Sequence, residues 1–282
     1  MLETCGLIAG SRALPLFFAR QARALGVKRL VAVAFEGETD PGLGELVDQI
    51  TWLKVGQLSK MIAALKDHGV RQCVMLGQVA PRHLFDVRPD LRALGLLFKL
   101  KEKNAHTLFT ALVHELANEG VEVIEATPWL RPLMAGVGFR LGPVLSTGQE
   151  ADVSFGFRMA KEISRLEIGQ LVVVKAGTVL AVEGFEGTDK CLLRGGQLAG
   201  KDGGAVAVKV AKAGHDMRFD VPCIGASTLE TCASAGIAVL ALEAGQTLVL
   251  EQDLIEALAK RHQISLVTVA LASPPAPLAP AW

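Results

Sequence analysis

Short apolar runs alternate along this chain with segments of helical periodicity, and the helical segments end in glycine. Gly6-Leu7-Ile8-Ala9-Gly10-Ser11 reads as a buried strand ending in a glycine turn. Residues 13–25 carry apolar side chains at helical spacing and stop at Gly26. A second strand follows at 30–35, then a helix at 58–67 with Ser59 as its N-cap candidate and Gly69 just past its end. Residues 74–76 form a third strand ending at Gly77-Gln78, and a long helix at 104–119 closes at Gly120 before a fourth strand at 121–125. Strands separated by helices cannot pair as hairpins. They lie parallel, with the helices as crossovers. The first half of the chain is therefore expected to be an α/β domain with a parallel sheet.

Ligands of such sheets sit beyond the carboxyl ends of the strands. That singles out two loops as substrate-binding candidates, Gly10-Ser11 and Gly77-Gln78. The spacing Gly6-x-x-x-Gly10 is not the dinucleotide fingerprint, and the chain has no P-loop motif. A tight βα turn without a ligand accounts for Gly10 as well as a binding loop does.

At 282 residues the chain is long enough for two domains, and with 50% hydrophobic residues each can bury a core. Residues 126–148 break the alternation with Pro128, Pro132, Gly136, Gly138, Gly142, Pro143 and Gly148. The expected layout is a domain at 1–130, a linker at 131–148, a second α/β domain at 149–273 and a disordered Pro/Ala tail at 274–282. Trp129, Leu130, Leu133, Met134, Val137, Phe139 and Leu141 are many apolar residues for a free linker. Part of this stretch is expected to pack on a domain or to line a greasy surface.

The second half opens with a helix over 149–165 and centres on residues 169–228. There, Leu171–Lys175 and Thr178–Val182 flank Ala176-Gly177, a hairpin signature. The stretch Glu183-Gly184-Phe185-Glu186-Gly187-Thr188-Asp189 then enters a helix, with Gly187 able to turn the backbone and Thr188 or Asp189 as cap candidates. A strand at 205–210 leads into Lys209, Lys212, His215, Asp216, Arg218 and Asp220. Carboxylates suit a cation there, and lysines with an arginine suit phosphate oxygens; a solvated loop is the plain alternative. Pro222 restricts Val221 to extended backbone, so the segment around Asp220 is expected to be extended. Asp216, Arg218 and Asp220 would then point to one side. A helix at 227–235, strands at 237–242, 247–250 and 264–270, and a helix at 252–261 complete the chain.

Zero net charge gives no sign of nucleic-acid binding. The five cysteines, Cys5, Cys73, Cys191, Cys223 and Cys232, contain no CxxC pair, which fits reduced thiols rather than a zinc site or a disulfide scaffold. His68, His106, His114 and His262 show no metal-ligand spacing. The start of the chain has no basic signal-peptide region, and no apolar run approaches a membrane span.

The stretch VVVKAGTVLAVEGFEGTD, the KxxK of Lys209 and Lys212, the HDMRFD of 215–220 and VPCIGAST resemble one family, and GLIAGSRALP at the amino terminus resembles its opening. It is the Mg²⁺-dependent UDP-2,3-diacylglucosamine pyrophosphatases of lipid A biosynthesis, the type unrelated to calcineurin-like phosphoesterases. The resemblance runs over essentially the whole chain. It departs at His215-Asp216, where the family commonly has Gln-Asp, and at Lys103-Asn104-Ala105, where it often has Gly-Asp-Asp.

The resemblance implies a Rossmann-like amino-terminal domain, a mixed α/β carboxy-terminal domain and substrate held between them. It implies hydrolysis of UDP-2,3-diacylglucosamine to UMP and 2,3-diacylglucosamine 1-phosphate (lipid X) with Mg²⁺. It also implies a cytoplasmic protein, with peripheral contact to the inner membrane and a homodimer both allowed and neither required. Calcineurin-like metal motifs and a Nudix box are absent from the chain. On this reading Asp189, Asp216 and Asp220 are the catalytic and metal-binding carboxylates, with the division of roles between base and ligand left open. Lys209, Lys212 and Arg218 meet phosphate, and Gly187-Thr188 belongs with them. A non-hydrolytic nucleotide-sugar binder, a glycosyl-transfer protein and a nucleotide-sensing regulatory module are the competing functions.

Overall fold

The structure is a computed structural model that describes residues 2–78, 89–100, 105–211, 216–218 and 221–270, with backbone only at 105–106. The tail expected at 274–282 lies outside the described residues, as do Lys212, His215 and Asp220. The chain forms two compact units. One takes the described residues up to Arg131 together with 216–218; the other takes 132–211 and 221–270. Residues 216–218, read from the sequence as part of the second domain, thus group with the first.

The first unit contains β1 (Thr4–Ala9), α1 (Leu14–Ala24), β2 (Arg29–Phe35), β3 (Gln49–Leu53), α2 (Leu58–Asp67), β4 (Gln72–Leu76), α3 (Leu91–Lys99), α4 (Ala105–Asn118), β5 (Glu122–Val123) and α5 (Thr127–Leu130). Its five strands pair in the order β3-β2-β1-β4-β5, every pair parallel. One face is sealed by Leu58, Met61, Ile62 and Leu65 of α2 with Val113 and Leu116 of α4, packed against Ile8, Val31, Val33 and Met75 of the strands. On α1, Phe18 is fully buried, and its ring meets Trp129 of α5 edge-on at 5.3 Å. β3, α3 and α5 have no counterpart in the sequence reading.

The second unit contains β6 (Arg140–Leu141), α6 (Thr147–Arg165), β7 (Leu171–Lys175), β8 (Thr178–Val182), α7 (Thr188–Leu198), β9 (Ala205–Lys209), β10 (Cys223–Ile224), α8 (Ala226–Ser234), β11 (Ile237–Glu243), β12 (Leu248–Val249), α9 (Gln252–His262) and β13 (Ser265–Val269). Six strands form a mixed sheet in the order β6-β13-β11-β9-β7-β8. β13, β11 and β9 are parallel, whereas β7, β8 and β6 join antiparallel to their neighbours. Strand alternation sorts the core into two layers. Val172, Val174, Val206, Val208 and Val239 pack against Val153, Phe157 and Ala160 of α6. Leu171, Val173, Ala207, Leu240 and Leu242 pack against Leu192, Leu229 and Ile255 of α7, α8 and α9. Burial on both faces is why these strands read as continuous apolar runs. α6 starts two residues ahead of the expected Gln149, because Ser146 and Gln149 form a capping box, with Gln149 N donating to Ser146 Oγ at 3.3 Å and Ser146 N to Gln149 Oε1 at 2.9 Å.

The stretch read as a linker is largely structured. Arg140–Leu141 pairs with β13 as an edge strand. Trp129, Leu130 and Leu133 are buried, and Phe139 and Leu141 pack on the second core. Val137 and Val144, at 81% and 87% exposure, face out, while most of the other greasy side chains of this stretch are spent inside the protein and not on a lipid surface.

Candidate functional site

In the first unit the two candidate loops meet. β1 and β4 are neighbours in the middle of the sheet, and the chain runs outward from β1 through β2 and β3 before returning to β4 on the other side. The carboxyl ends of β1 and β4 therefore flank the point where strand order reverses, the usual ligand crevice of such sheets. Gly10 N donates to Leu76 O at 2.8 Å, Ser11 N to Gln78 O at 2.8 Å, and Ser11 Oγ to the same carbonyl at 2.6 Å. Apart from the Ser11 hydroxyl, the contact is backbone on backbone. A β-carbon on Gly10 would lie 2.7 Å from Gln78 O, and one on Gly77, whose φ is +91°, would lie 2.7 Å from Ser11 O. Loop closure alone thus accounts for both glycines.

Asp216 and Arg218 sit together in a turn at 217–218 rather than in the extended segment expected. Arg218 Nε donates to Asp216 Oδ1 at 2.8 Å and Nη2 to Oδ2 at 2.6 Å, a two-pronged pair. This bond holds the Arg218 guanidinium above its ordinary value, with Asp216 and Glu125 adding charge to the same end. A phosphate recruiting Arg218, or a cation recruiting Asp216, has this pair to compete with.

In the second unit, the carboxyl ends of β8, β9 and β11 lie on one edge of the sheet, since β8 and β9 are both antiparallel to β7. α7 begins at that edge. Gly187 is its N-cap, with φ at 83°, a conformation that suits glycine. Neither Thr188 nor Asp189 caps the helix as the sequence suggested, and no other side chain among the described residues does, so within the described structure the first amides of α7 are open to an anion. The Thr188 hydroxyl is used elsewhere. It donates to Glu183 Oε1 at 2.7 Å and accepts from Lys209 Nζ at 2.9 Å. The directions are fixed, because an ammonium only donates and a carboxylate only accepts. Glu183, only 9% exposed, also accepts from Gln170 N at 3.1 Å. Lys209 is thereby held beside the open helix end, a cation and free amides in one place. Asp189 lies exposed in the first turn of α7, and no donor among the described residues bonds its carboxylate.

Sequence reasoning missed Glu183 and a second buried carboxylate on the same edge. Glu243, 6% exposed at the end of β11, pairs with Lys161 of α6 at 2.9 Å. Between them they hold the peptide of Ala211: Ala211 N donates to Glu243 Oε2 at 2.8 Å, and Lys161 Nζ to Ala211 O at 3.1 Å. Ala211 is the residue before Lys212, so the pair fixes the chain where the charged segment leaves β9. The visible hint was a lone acid at the end of an apolar strand, a weak signal without its partner.

Among the described residues no cluster of three or more Asp, Glu, His or Cys could hold a metal. Mg²⁺ does not require one, since it binds through one or two carboxylates and completes its shell with water and phosphate oxygens. Asp189, exposed and without a bonded donor among the described residues, fits that demand as a hard-oxygen ligand. Burial pushes the Cys191 and Cys232 thiols near α7 up to about 12, which leaves no thiolate nucleophile there.

Comparison with known proteins adds a name to this arrangement. Residues 4–133 match the model of the LpxI N-terminal domain, and residues 138–267 match that of the LpxI C-terminal domain. A UDP-2,3-diacylglucosamine pyrophosphatase LpxI from Caulobacter vibrioides is 32% identical over 268 residues, covering 92% of this chain and 94% of the relative. Among solved structures, the biotin carboxylase subunit of a pyruvate carboxylase aligns at 13% identity and a TM-score of 0.26, over 66% of this chain and 36% of that one. A phosphoribosylglycinamide synthetase from Anaerococcus prevotii aligns at 8% identity and a TM-score of 0.26, over 66% of this chain and 40% of that one. Structural likenesses of that size carry no argument. The two domain matches and the full-length relative do: the chain belongs to the LpxI family.

Proposed function

We propose that the chain hydrolyses the diphosphate of UDP-2,3-diacylglucosamine, releasing UMP and 2,3-diacylglucosamine 1-phosphate. The observation that carries this reading is the end-to-end match to a pyrophosphatase of that name, over 92% of the chain. We read the first unit as Rossmann-like because its strand order, β3-β2-β1-β4-β5, is that of the doubly wound nucleotide-binding sheets. Its paired loops, Gly10-Ser11 and Gly77-Gln78, are placed to meet the nucleotide sugar.

The chemistry asks for charge neutralisation before water reaches phosphorus. Lys209 and the uncapped amides of α7 supply fixed positive charge for phosphate oxygens without reorganising. Gly187, lacking a side chain, lets an oxygen approach that helix end. Lys212 and Arg218 are proposed as further phosphate partners, Arg218 after release from Asp216. Mg²⁺ would be held by Asp189 with Asp216 and Asp220, and when bound it supplies Lewis-acid neutralisation of the diphosphate. Asp220 is proposed as the most sensitive carboxylate. We place the protein in the cytoplasm, and a substrate that is itself a lipid supports peripheral contact with the inner-membrane face.

Purified protein incubated with UDP-2,3-diacylglucosamine and Mg²⁺ should release UMP. Release of UDP would point to glycosyl transfer, and an intact, bound substrate to a non-hydrolytic binder. Asp220→Ala should fold, bind substrate and lose at least about 10²-fold in kcat, the size expected of a lost acid–base group. Retention of more than roughly a tenth of turnover would remove Asp220 from the chemistry.

A further inference from the structure

α3, Leu91-Arg92-Ala93-Leu94-Gly95-Leu96-Leu97-Phe98-Lys99, is apolar around most of its circumference, yet none of its nine residues is buried. Arg92 and Lys99 share its one polar side, and an apolar face as wide as the remainder is normally covered. Here Leu91 is 88% and Phe98 82% exposed, and half-buried Leu94 lies with them at i, i+3 and i+7 on one stripe. The opposite side is tied down. Arg92 Nε donates to Glu115 Oε1 at 2.6 Å and Nη2 to Glu119 Oε1 at 2.5 Å, while Ala93 packs on the core of the first unit. The start of the helix is pinned as well: Asp90 N donates to Gly56 O at 3.1 Å, and Asp90 Oδ2 accepts from Ser59 N at 2.7 Å. Gly56 and Ser59 lie just beyond the carboxyl end of β3, so α3 starts from the same sheet edge as the Gly10 and Gly77 loops.

We propose that α3 is a membrane-surface helix whose Leu91–Leu94–Phe98 stripe lies in the headgroup boundary of an anionic bilayer. A helix of this length cannot cross a bilayer, and among the described residues no helix can, so the contact lies on the surface. The charges favour an anionic lipid surface over a second copy of the chain. The helix carries two cations and no acid, Arg92 is already paired within the unit, and Lys99 is followed in sequence by Lys101, Glu102 and Lys103, a net positive run. A two-fold pairing of this face with itself would bring like charges together, whereas anionic headgroups supply their partners. The proposal rests on the reading of the substrate as a lipid in one respect only: a bilayer contact at this edge brings the candidate loops to the surface from which a diacylated sugar must be drawn.

The test is flotation of the full chain with phosphatidylglycerol/phosphatidylethanolamine vesicles, beside the double variant Leu91→Asp/Phe98→Asp. Both positions are exposed, so folding should be unaffected, and circular dichroism checks it. Wild type should float with the vesicles, and the variant should lose at least tenfold in bound fraction. UMP release from substrate dispersed in detergent should stay within about twofold of wild type, while release from substrate embedded in vesicles should fall about tenfold. Vesicle binding unchanged in the variant, or absent in the wild type, overturns the proposal. So does a wild-type dimer that the variant converts to monomer, which would assign the stripe to a second copy. Vesicle binding with no UMP from either form of substrate would instead overturn the pyrophosphatase reading and leave the membrane helix standing.

Discussion

The two units build their candidate loops from different materials. In the first, Gly10-Ser11 closes on Gly77-Gln78 through main-chain atoms, and the contact depends on the lack of side chains. In the second, the polar groups at the sheet edge are side chains, held by two carboxylates that the fold has buried, Glu183 and Glu243. A main-chain site is rigid and indifferent to most substitutions except those that add bulk. A site hung on buried carboxylates is tunable, but each partner removed leaves a charge or a donor stranded. The difference teaches where each unit is fragile.

The largest effect is expected at Lys161. Lys161→Met strands Glu243 at 6% exposure, and breaking a buried pair from one side costs about 3–5 kcal/mol. The double variant Lys161→Met/Glu243→Leu removes both charges and leaves the Ala211 amide without its acceptor, a loss of about 1–3 kcal/mol. Urea unfolding should therefore rank the double variant as more stable than the single one. The reverse order would mean the pair is solvated, and the contrast between the two units would fail there.

Gly10→Val is the matching break in the first unit. Its β-carbon would fall within 2.9 Å of three main-chain atoms at 77 and 78, none of which can rotate away. Overpacking of this kind costs about 1–3 kcal/mol, so the melting temperature should drop together with any change in KM. An unchanged melting temperature with a raised KM would show that the loops can part, and that Gly10 is kept for the ligand alone.

The layers and most elements were legible because their signals are local. The hairpin at 171–182 stands out as β-branched runs around Ala176-Gly177, and its two strands fall at the residues read from the sequence. Glycine stops after α1, α2 and α4 marked the parallel crossovers. What escaped depends on partners distant in the chain. β3, QITWL, has no clean alternation and is defined by its pairing with β2. β6 is two residues long and exists through β13. α3 has a polar face made of Arg92 and Lys99 alone, too thin a pattern in an otherwise apolar run to mark a helix from sequence. Glu183 and Glu243 look like ordinary strand-end acids until Thr188, Lys209, Lys161 and Ala211 are seen around them. The pairing of Asp216 with Arg218 was likewise invisible, because the residue types suggested a metal and a phosphate as their partners and not each other.

The smallest expected effect makes the comparison sharpest, because the same chemical edit can be made in both units. Ser11→Ala and Thr188→Val each delete one hydroxyl. Ser11 Oγ donates to Gln78 O, which also receives Ser11 N at 2.8 Å. The carbonyl keeps one partner and the site is open to water, so the loss should be at the low end for a hydrogen bond, about 0.5 kcal/mol. Thr188 Oγ1 is the only link in the described structure between Glu183 and Lys209. Valine there leaves a buried carboxylate oxygen without its donor, a loss of about 1–3 kcal/mol, and frees Lys209 to swing from the α7 amides. Thr188→Val should thus lower both the melting temperature and kcat with UDP-2,3-diacylglucosamine, whereas Ser11→Ala should change neither by much. Thr188→Ser, which keeps the hydroxyl, should restore most of the activity. Equal, small losses for Ser11→Ala and Thr188→Val would mean that water replaces the threonine, and that the second unit's edge is as forgiving as the first unit's loops.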